Sequence, residues 1–155
     1  MFGLFESEPY QDPELGQLSW SGRHWKGDIV LAPLTRFPLS LPGDRHTPES
    51  KTIEIARELL KRFSSLVPQI ENELFEHYLP YKEAIETGIQ TGSPCPQIES
   101  PSAVWAHVKP AHVLIESIKG NWRIEVAFTT DWDIEHTVAA IFSDWHFIEL
   151  NGSVR

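Results

Sequence analysis

The sequence predicts an α+β fold in which an antiparallel sheet, made of an N-terminal hairpin and a C-terminal meander, packs against a central pair of helices or one kinked helix. Three observations predict it. Aromatic-rich runs flank the short glycine-containing stretch Ser21-Gly22-Arg23-His24, which marks a hairpin. Apolar residues recur at 3-4 spacing from Ile53 to Leu74, the period of a helix with one buried stripe. Beyond Val113 the apolar period shortens to two, as in strands that set one face on a core and one in water.

In chain order, the zone up to about Pro42 holds three strand-like pieces: Gln17 to Trp20, Trp25 to Leu31 and Phe37 to Leu41. Pro33 and Pro38 assign the third to a sheet edge or an extended loop, because proline donates nothing to a ladder. The helical zone opens with Thr47 as N-cap, Pro48 at the first helical position and Glu49 complementing the dipole. Its stripe is Ile53, Ala56, Leu60, Phe63, Val67, Ile70 and Leu74. Pro68 removes a backbone donor and disfavours helix at Val67, which divides or kinks the zone. Tyr78-Leu79-Pro80-Tyr81 ends or bends the second piece, with a further turn to Thr87 before Gly88.

Gly88 to Pro101 holds two glycines and three prolines, the composition of an unpacked loop. Ser100 and Pro101 then suit the cap and first position of a short helix running to about Val108. The last zone is the most strand-like: Val113 to Ile118, Trp122 to Phe128, Thr137 to Phe142 and Trp145 to Leu150. Gly120-Asn121 and Ser143-Asp144 supply its two-residue turns. There is no internal repeat, and residues 1–155 are expected to form one domain.

Composition narrows the function. A formal charge of −9 argues against nucleic acid, whose phosphates are bound mainly by Lys and Arg, and favours a basic partner. Cys95 is the single cysteine, so one chain makes neither an internal disulfide nor a thiolate zinc cluster, and a reducing cytoplasm is the expected setting. No apolar run approaches the roughly 20 residues of a spanning helix, and Met1-Phe2-Gly3-Leu4-Phe5 lacks the basic and apolar regions of a leader. A membrane partner is not expected.

One stretch has the residue types for chemistry: Asp131-Trp132-Asp133-Ile134-Glu135-His136. Alternate carboxylates followed by an imidazole can converge on a hard cation or pair as acid and base. An extended segment would put Asp131, Asp133 and Glu135 on one side and His136 on the other. The spacing begins like a calcium loop, yet His136 stands where that loop needs glycine and Phe142 where it needs a bidentate Glu. The bland alternative has the carboxylates accepting backbone amides in a tight turn, with Trp132 plugging the core. His77 continues the helical stripe and reads as a satisfied boundary histidine. The chain has no H-E-x-x-H, G-x-S-x-G or phosphate-binding glycine loop. Trp20, Trp25, Trp122, Trp132 and Trp145 can either fill the core or offer stacking platforms to a sugar or nucleobase.

Trp132-Asp133-Ile134-Glu135-His136, followed by two strands ending Leu150-Asn151-Gly152, resembles a bacterial family of uncharacterised domains that carries a C-terminal W-D-x-E-H segment after an N-terminal W-x-G hairpin. Here Trp25-Lys26-Gly27 matches the hairpin element, and Thr137 stands where that family commonly has glycine. The resemblance implies an immunity protein that blocks a cognate polymorphic or secretion-delivered toxin.

The expectation is therefore a non-catalytic, cytoplasmic binder with no cofactor and no metal. Its partner would be a toxin or effector with a basic surface, met by Asp131, Asp133, Glu135, Glu71, Glu73 and Glu76. Trp25, Gly27, Trp132 and His136 are expected to be structural. The rival readings are a metal-assisted hydrolase on residues 131–136 and an aromatic-lined sensor of a small ligand or carbohydrate.

Overall fold

The computed structural model describes residues 7–89 and 94–154; the leader reading of Met1 to Phe5 and part of the Gly88–Pro101 loop fall outside them. The strands are β1 (Tyr10–Asp12), β2 (Gly16–Trp20), β3 (Trp25–Val30), β4 (Arg36–Leu41), β5 (Val108–Ile118), β6 (Asn121–Thr130), β7 (Thr137–Ser143) and β8 (His146–Val154). One helix, α1 (Ser50–Glu86), lies between β4 and β5, and a 3-10 helix, Pro101–His107, leads into β5. The strands form one eight-stranded sheet in sequence order. Every neighbouring pair is antiparallel except β4 and β5, which run parallel through Leu39 opposite Val113 and Ser40 opposite Leu114. A parallel pair needs a long crossover, and α1 supplies it.

The α+β reading holds, with one helix rather than a pair. Its buried residues include Ile53, Ala56, Phe63, Ile70 and Leu74 of the expected stripe, with Leu60 and Val67 partly buried; Ile55, Leu59 and Tyr78 widen it. Pro68 and Pro80 both lie inside the helix without dividing it. Both prolines are exposed, and so are Ser64 and Glu76 four residues before them. The carbonyls they leave without an intrahelical donor therefore sit on the wet side, where water replaces the lost bond. The helix ends by a Schellman pattern: Ile89 N donates to Ala84 O at 2.8 Å and Gly88 N to Ile85 O at 3.0 Å. Gly88 takes the left-handed φ of +84° that this ending requires.

The helix starts two residues later than its capping signal suggests. Glu49, not Thr47, is the N-cap, and Ser50 is the first helical residue. Thr47 is held elsewhere, because its amide donates to Asp44 Oδ1 at 3.1 Å and Asp44 N donates to Thr47 O at 3.1 Å. Local bonding to Asp44 thus competes successfully with helix capping.

The third N-terminal piece is also corrected: β4 is a central strand. Its proline is tolerated because Pro38 pairs only with Asp28 of β3, and the contact with β5 begins at Leu39. The edge is instead β1, which pairs with β2 and was not foreseen. Asp12 terminates it by accepting the amides of Glu14 (3.0 Å) and Leu15 (2.9 Å).

Both C-terminal turns are displaced by one residue from their expected positions, the first to the residue before and the second to the residue after. Lys119 and Gly120 have φ of 50° and 82°, and Asp144 and Trp145 have φ of 48° and 64°. The register agrees with this: Ile124, Val126 and Phe128 pair with Phe142, Ala140 and Val138 on the core side, and a one-residue slip of either strand would turn its three to the other face. The loop after α1 departs from its unpacked reading as well. Tyr78 Oη donates to Pro96 O at 2.6 Å and accepts from Ile98 N at 3.1 Å, and Ile98 is buried.

Candidate functional site

The two sequence motifs lie in different parts of the sheet and are both built inward. In the first, Trp25 is fully buried at the start of β3 and its Nε1 donates to Asp44 O at 2.8 Å. Gly27 follows because β2 crosses closely there: a Cβ would collide with Leu18 Cδ2 and stand 3.1 Å from Gln17 O. The W-x-G element therefore fixes the hairpin against the Asp44 loop.

The second motif occupies the β6–β7 connection and latches it to α1. Trp132 is fully buried, edge-on to Tyr78, and its Nε1 donates to His77 Nδ1 at 2.9 Å. Indole nitrogen is a donor only, so His77 is neutral with its proton on Nε2. Burial holds the His77 pKa below the ordinary imidazole value, with the charge of His136 acting in the same direction and Asp133 opposing it. Asp133 is buried and accepts from Tyr81 Oη at 2.8 Å, from His136 Nδ1 at 3.0 Å and from Glu135 N at 3.3 Å. Burial alone would raise its pKa, but the bonds from Tyr81 and His136 leave it below the usual carboxylate range. A carboxylate can only accept, so Nδ1 of His136 carries a proton. Burial and the adjoining carboxylate push the Tyr81 phenol up to about 12.

The three carboxylates of the motif do not converge. Asp131 is exposed and pairs with His107 Nδ1 at 3.1 Å, while Asp133 turns inward to Tyr81 and His136. Glu135 is exposed, as is Ile134 at 64%. Among the described residues no group of three or more His, Cys, Asp or Glu side chains is placed to hold a metal ion. The arrangement orients hydrogen bonds and joins helix to sheet. Of the expected contact acids, Glu71 is half-buried and accepts from Trp105 Nε1 at 2.7 Å, tying α1 to the 3-10 helix. Glu73 accepts from Gln69 Nε2 at 3.1 Å, and Glu76 is fully on the surface side.

Two polar features escaped the sequence reading. Asp12 is buried and paired with Arg57 of α1, whose Nε donates to Asp12 Oδ1 at 3.0 Å. The Arg57 guanidinium outweighs burial and, with two backbone amides, holds the Asp12 carboxyl below its ordinary range. Their separation along the chain hides the pair, although an arginine next to the helical stripe was a visible candidate. The second is a corner formed by Trp122 and Trp145, whose ring centroids lie 4.9 Å apart at 66°. Of the five tryptophans considered as platforms, Trp25 and Trp132 are sealed in the core, whereas Trp20, Trp122 and Trp145 are half-buried.

A single long helix laid on an eight-stranded sheet, with Trp25 and Trp132 both buried and hydrogen-bonded to other elements, defines an α+β protein. The chain belongs to the family described as Domain of unknown function (DUF6985), whose model matches residues 14–153. No curated protein and no solved structure matches it.

Proposed function

We propose that the protein is a stoichiometric binder of the immunity type, which neutralises a bacterial toxin or effector in the cytoplasm through an acidic surface. The observation that carries this reading is the order of charges along α1. Its first part, to Phe63, holds Lys51, Arg57, Lys61 and Arg62 against Glu54 and Glu58. Its remainder holds Glu71, Glu73, Glu76, Glu83 and Glu86 against Lys82 alone. There is no acid in the first turn and no base in the last. In the last turn Glu83 and Glu86 oppose the macrodipole, each at a cost of about 0.3–1 kcal/mol, whereas Glu49 at the N-cap favours it. Acids kept at the C-terminal end of the helix despite that cost support a task outside the helix.

Apolar anchors accompany the acids. Leu79 and Ile85 are 41% and 43% exposed, and Ile89 is 60% exposed at the same end of α1. The Tyr81–Asp133 bond brings Asp131, Ile134 and Glu135 alongside. Exposed aliphatic groups on a mainly acidic stretch of helix are what a partner with basic residues around apolar pockets would meet, and the acids would speed its approach.

The test is co-expression and co-purification with the product of the neighbouring gene. A one-to-one complex and rescue of growth are expected; neither appearing would end this reading. Glu76→Lys and Glu135→Lys are expected to slow association most at low salt, where screening is weakest.

A further inference from the structure

The Trp122–Trp145 corner opens into a cavity of about 210 Å³ that neither signature motif uses. Ile55, buried on α1, forms its apolar base, and the two indoles form adjacent walls. Three carboxylates line it, Glu54, Glu58 and Asp144, against one cation, Lys51. Lys51 stands 3.9 Å from exposed Glu54, so it is turned to that side chain. Glu58 is the group left over: its Oε2 is buried and has no hydrogen-bond partner among the described residues.

That vacancy is conspicuous because a donor lies within reach by sequence. Arg62 follows Glu58 at i+4, a spacing that normally pairs an acid with a base on a helix. Its guanidinium instead lies 4.8 Å from the centre of the Trp145 ring. The face of Trp145 therefore accepts a cation within the fold, and Glu58 keeps a desolvated oxygen that would gain from a charged donor. Asp144 and Trp145 hold the corner in left-handed backbone, at φ 48° and 64°, a conformation that is unfavourable for a side chain as large as tryptophan. Indole walls beside a half-buried carboxylate with one unpartnered oxygen suit an organic monocation, and the carboxylates are not grouped as a metal would need.

We infer that this corner binds an alkylammonium or guanidinium group. The cation lies against Trp122 and Trp145 and donates to Glu58 Oε2, or, when it is a quaternary ammonium, rests on Glu58 by charge alone. The inference is independent of the acidic end of α1 and stands or falls without it. Two sources share this chemistry, a free small amine and a Lys or Arg side chain of a peptide.

The experiment follows the indole N–H resonances of Trp122 and Trp145 in the labelled full chain while a probe is added. The probes are choline, N-acetyl-lysine methylamide, N-acetyl-arginine methylamide, and 3,3-dimethylbutanol as the uncharged counterpart of choline. At least one cation is expected to shift both resonances with saturation at or below the order of 10 mM, and the alcohol is expected to bind at least about tenfold more weakly. Choline alone binding would identify a free amine, and the amino-acid amides alone would identify a protein side chain. Glu58→Gln is expected to weaken binding about tenfold with the fold intact, and Trp122→Phe to weaken it less. No shift with any cation, equal response to the alcohol, or undiminished binding by Glu58→Gln would overturn the assignment.

Discussion

Trp132 and Trp145 belong to the same C-terminal meander, yet one is closed into the fold and the other stands beside an open cavity. Around Trp132 every polar group at the seam is answered: the indole by His77, and Asp133 by Tyr81, His136 and a backbone amide. Around Trp145 the backbone is left-handed, the nearby arginine is stacked on the ring, and Glu58 Oε2 has no donor among the described residues. Aromatic and acidic residues side by side in sequence therefore do not mark a binding site. What distinguishes the two places is whether the buried polar atoms are already satisfied, since satisfied groups stabilise and unsatisfied ones await a partner.

The largest effect should come from opening the closed region. Trp132→Ala removes a fully buried indole and orphans His77, and a loss of about 3–5 kcal/mol is expected in urea unfolding. A loss below about 1 kcal/mol would erase the contrast between the two tryptophans. Arg57→Ala leaves the Asp12 carboxylate buried with only two amides. About 2 kcal/mol is expected, below the range for fully buried pairs because water reaches the Arg57 side. Gly27→Ala forces a methyl group onto Leu18 and should cost about 1–2 kcal/mol.

Acid should discriminate the regions without mutation. His77 has a folded pKa below its unfolded one, so its neutral form is favoured by folding; that stability is present above about pH 6.5 and is lost as pH falls toward the folded value. The melting temperature of the native protein should therefore decline as pH is lowered from 7 toward 5.5. His77→Gln, which offers Trp132 an uncharged acceptor, should flatten that decline; an unchanged slope would place the acid sensitivity elsewhere. The smallest stability effect belongs to the open corner. Glu58→Gln should alter unfolding by no more than about 0.5 kcal/mol while diminishing cation binding, the reverse of the pattern at Trp132.

Legibility in the sequence followed the range of the interactions. The C-terminal strands and the helical stripe were readable because period two and period 3.6 report which face meets a core, whatever that core is. The place of Trp25 and Gly27 in a hairpin and of Trp132 and His136 between two strands was readable, but their partners Asp44, Leu18, His77 and Asp133 were not. Thr47 misled because a capping residue and an Asp44 turn compete for the same backbone, and sequence does not rank them. Pro38 misled because a central strand tolerates proline where the second neighbour begins one residue later. Asp12–Arg57, Glu71–Trp105 and the Trp122–Trp145 corner join residues distant in the chain, and no local pattern carries such pairs.

By itself the sequence determined the fold class, the order of strand and helix from β2 onward, the buried face of α1 and the acidity of its second half, since these follow from periodicity and composition. Only the tertiary structure decided that β4 and β5 meet in parallel at the centre, that the carboxylates of residues 131–136 part company, and that Glu58 Oε2 finds no donor among the described residues. The physical reason is that satisfaction of a buried polar atom depends on what arrives from elsewhere in the chain, and arrival is settled by packing.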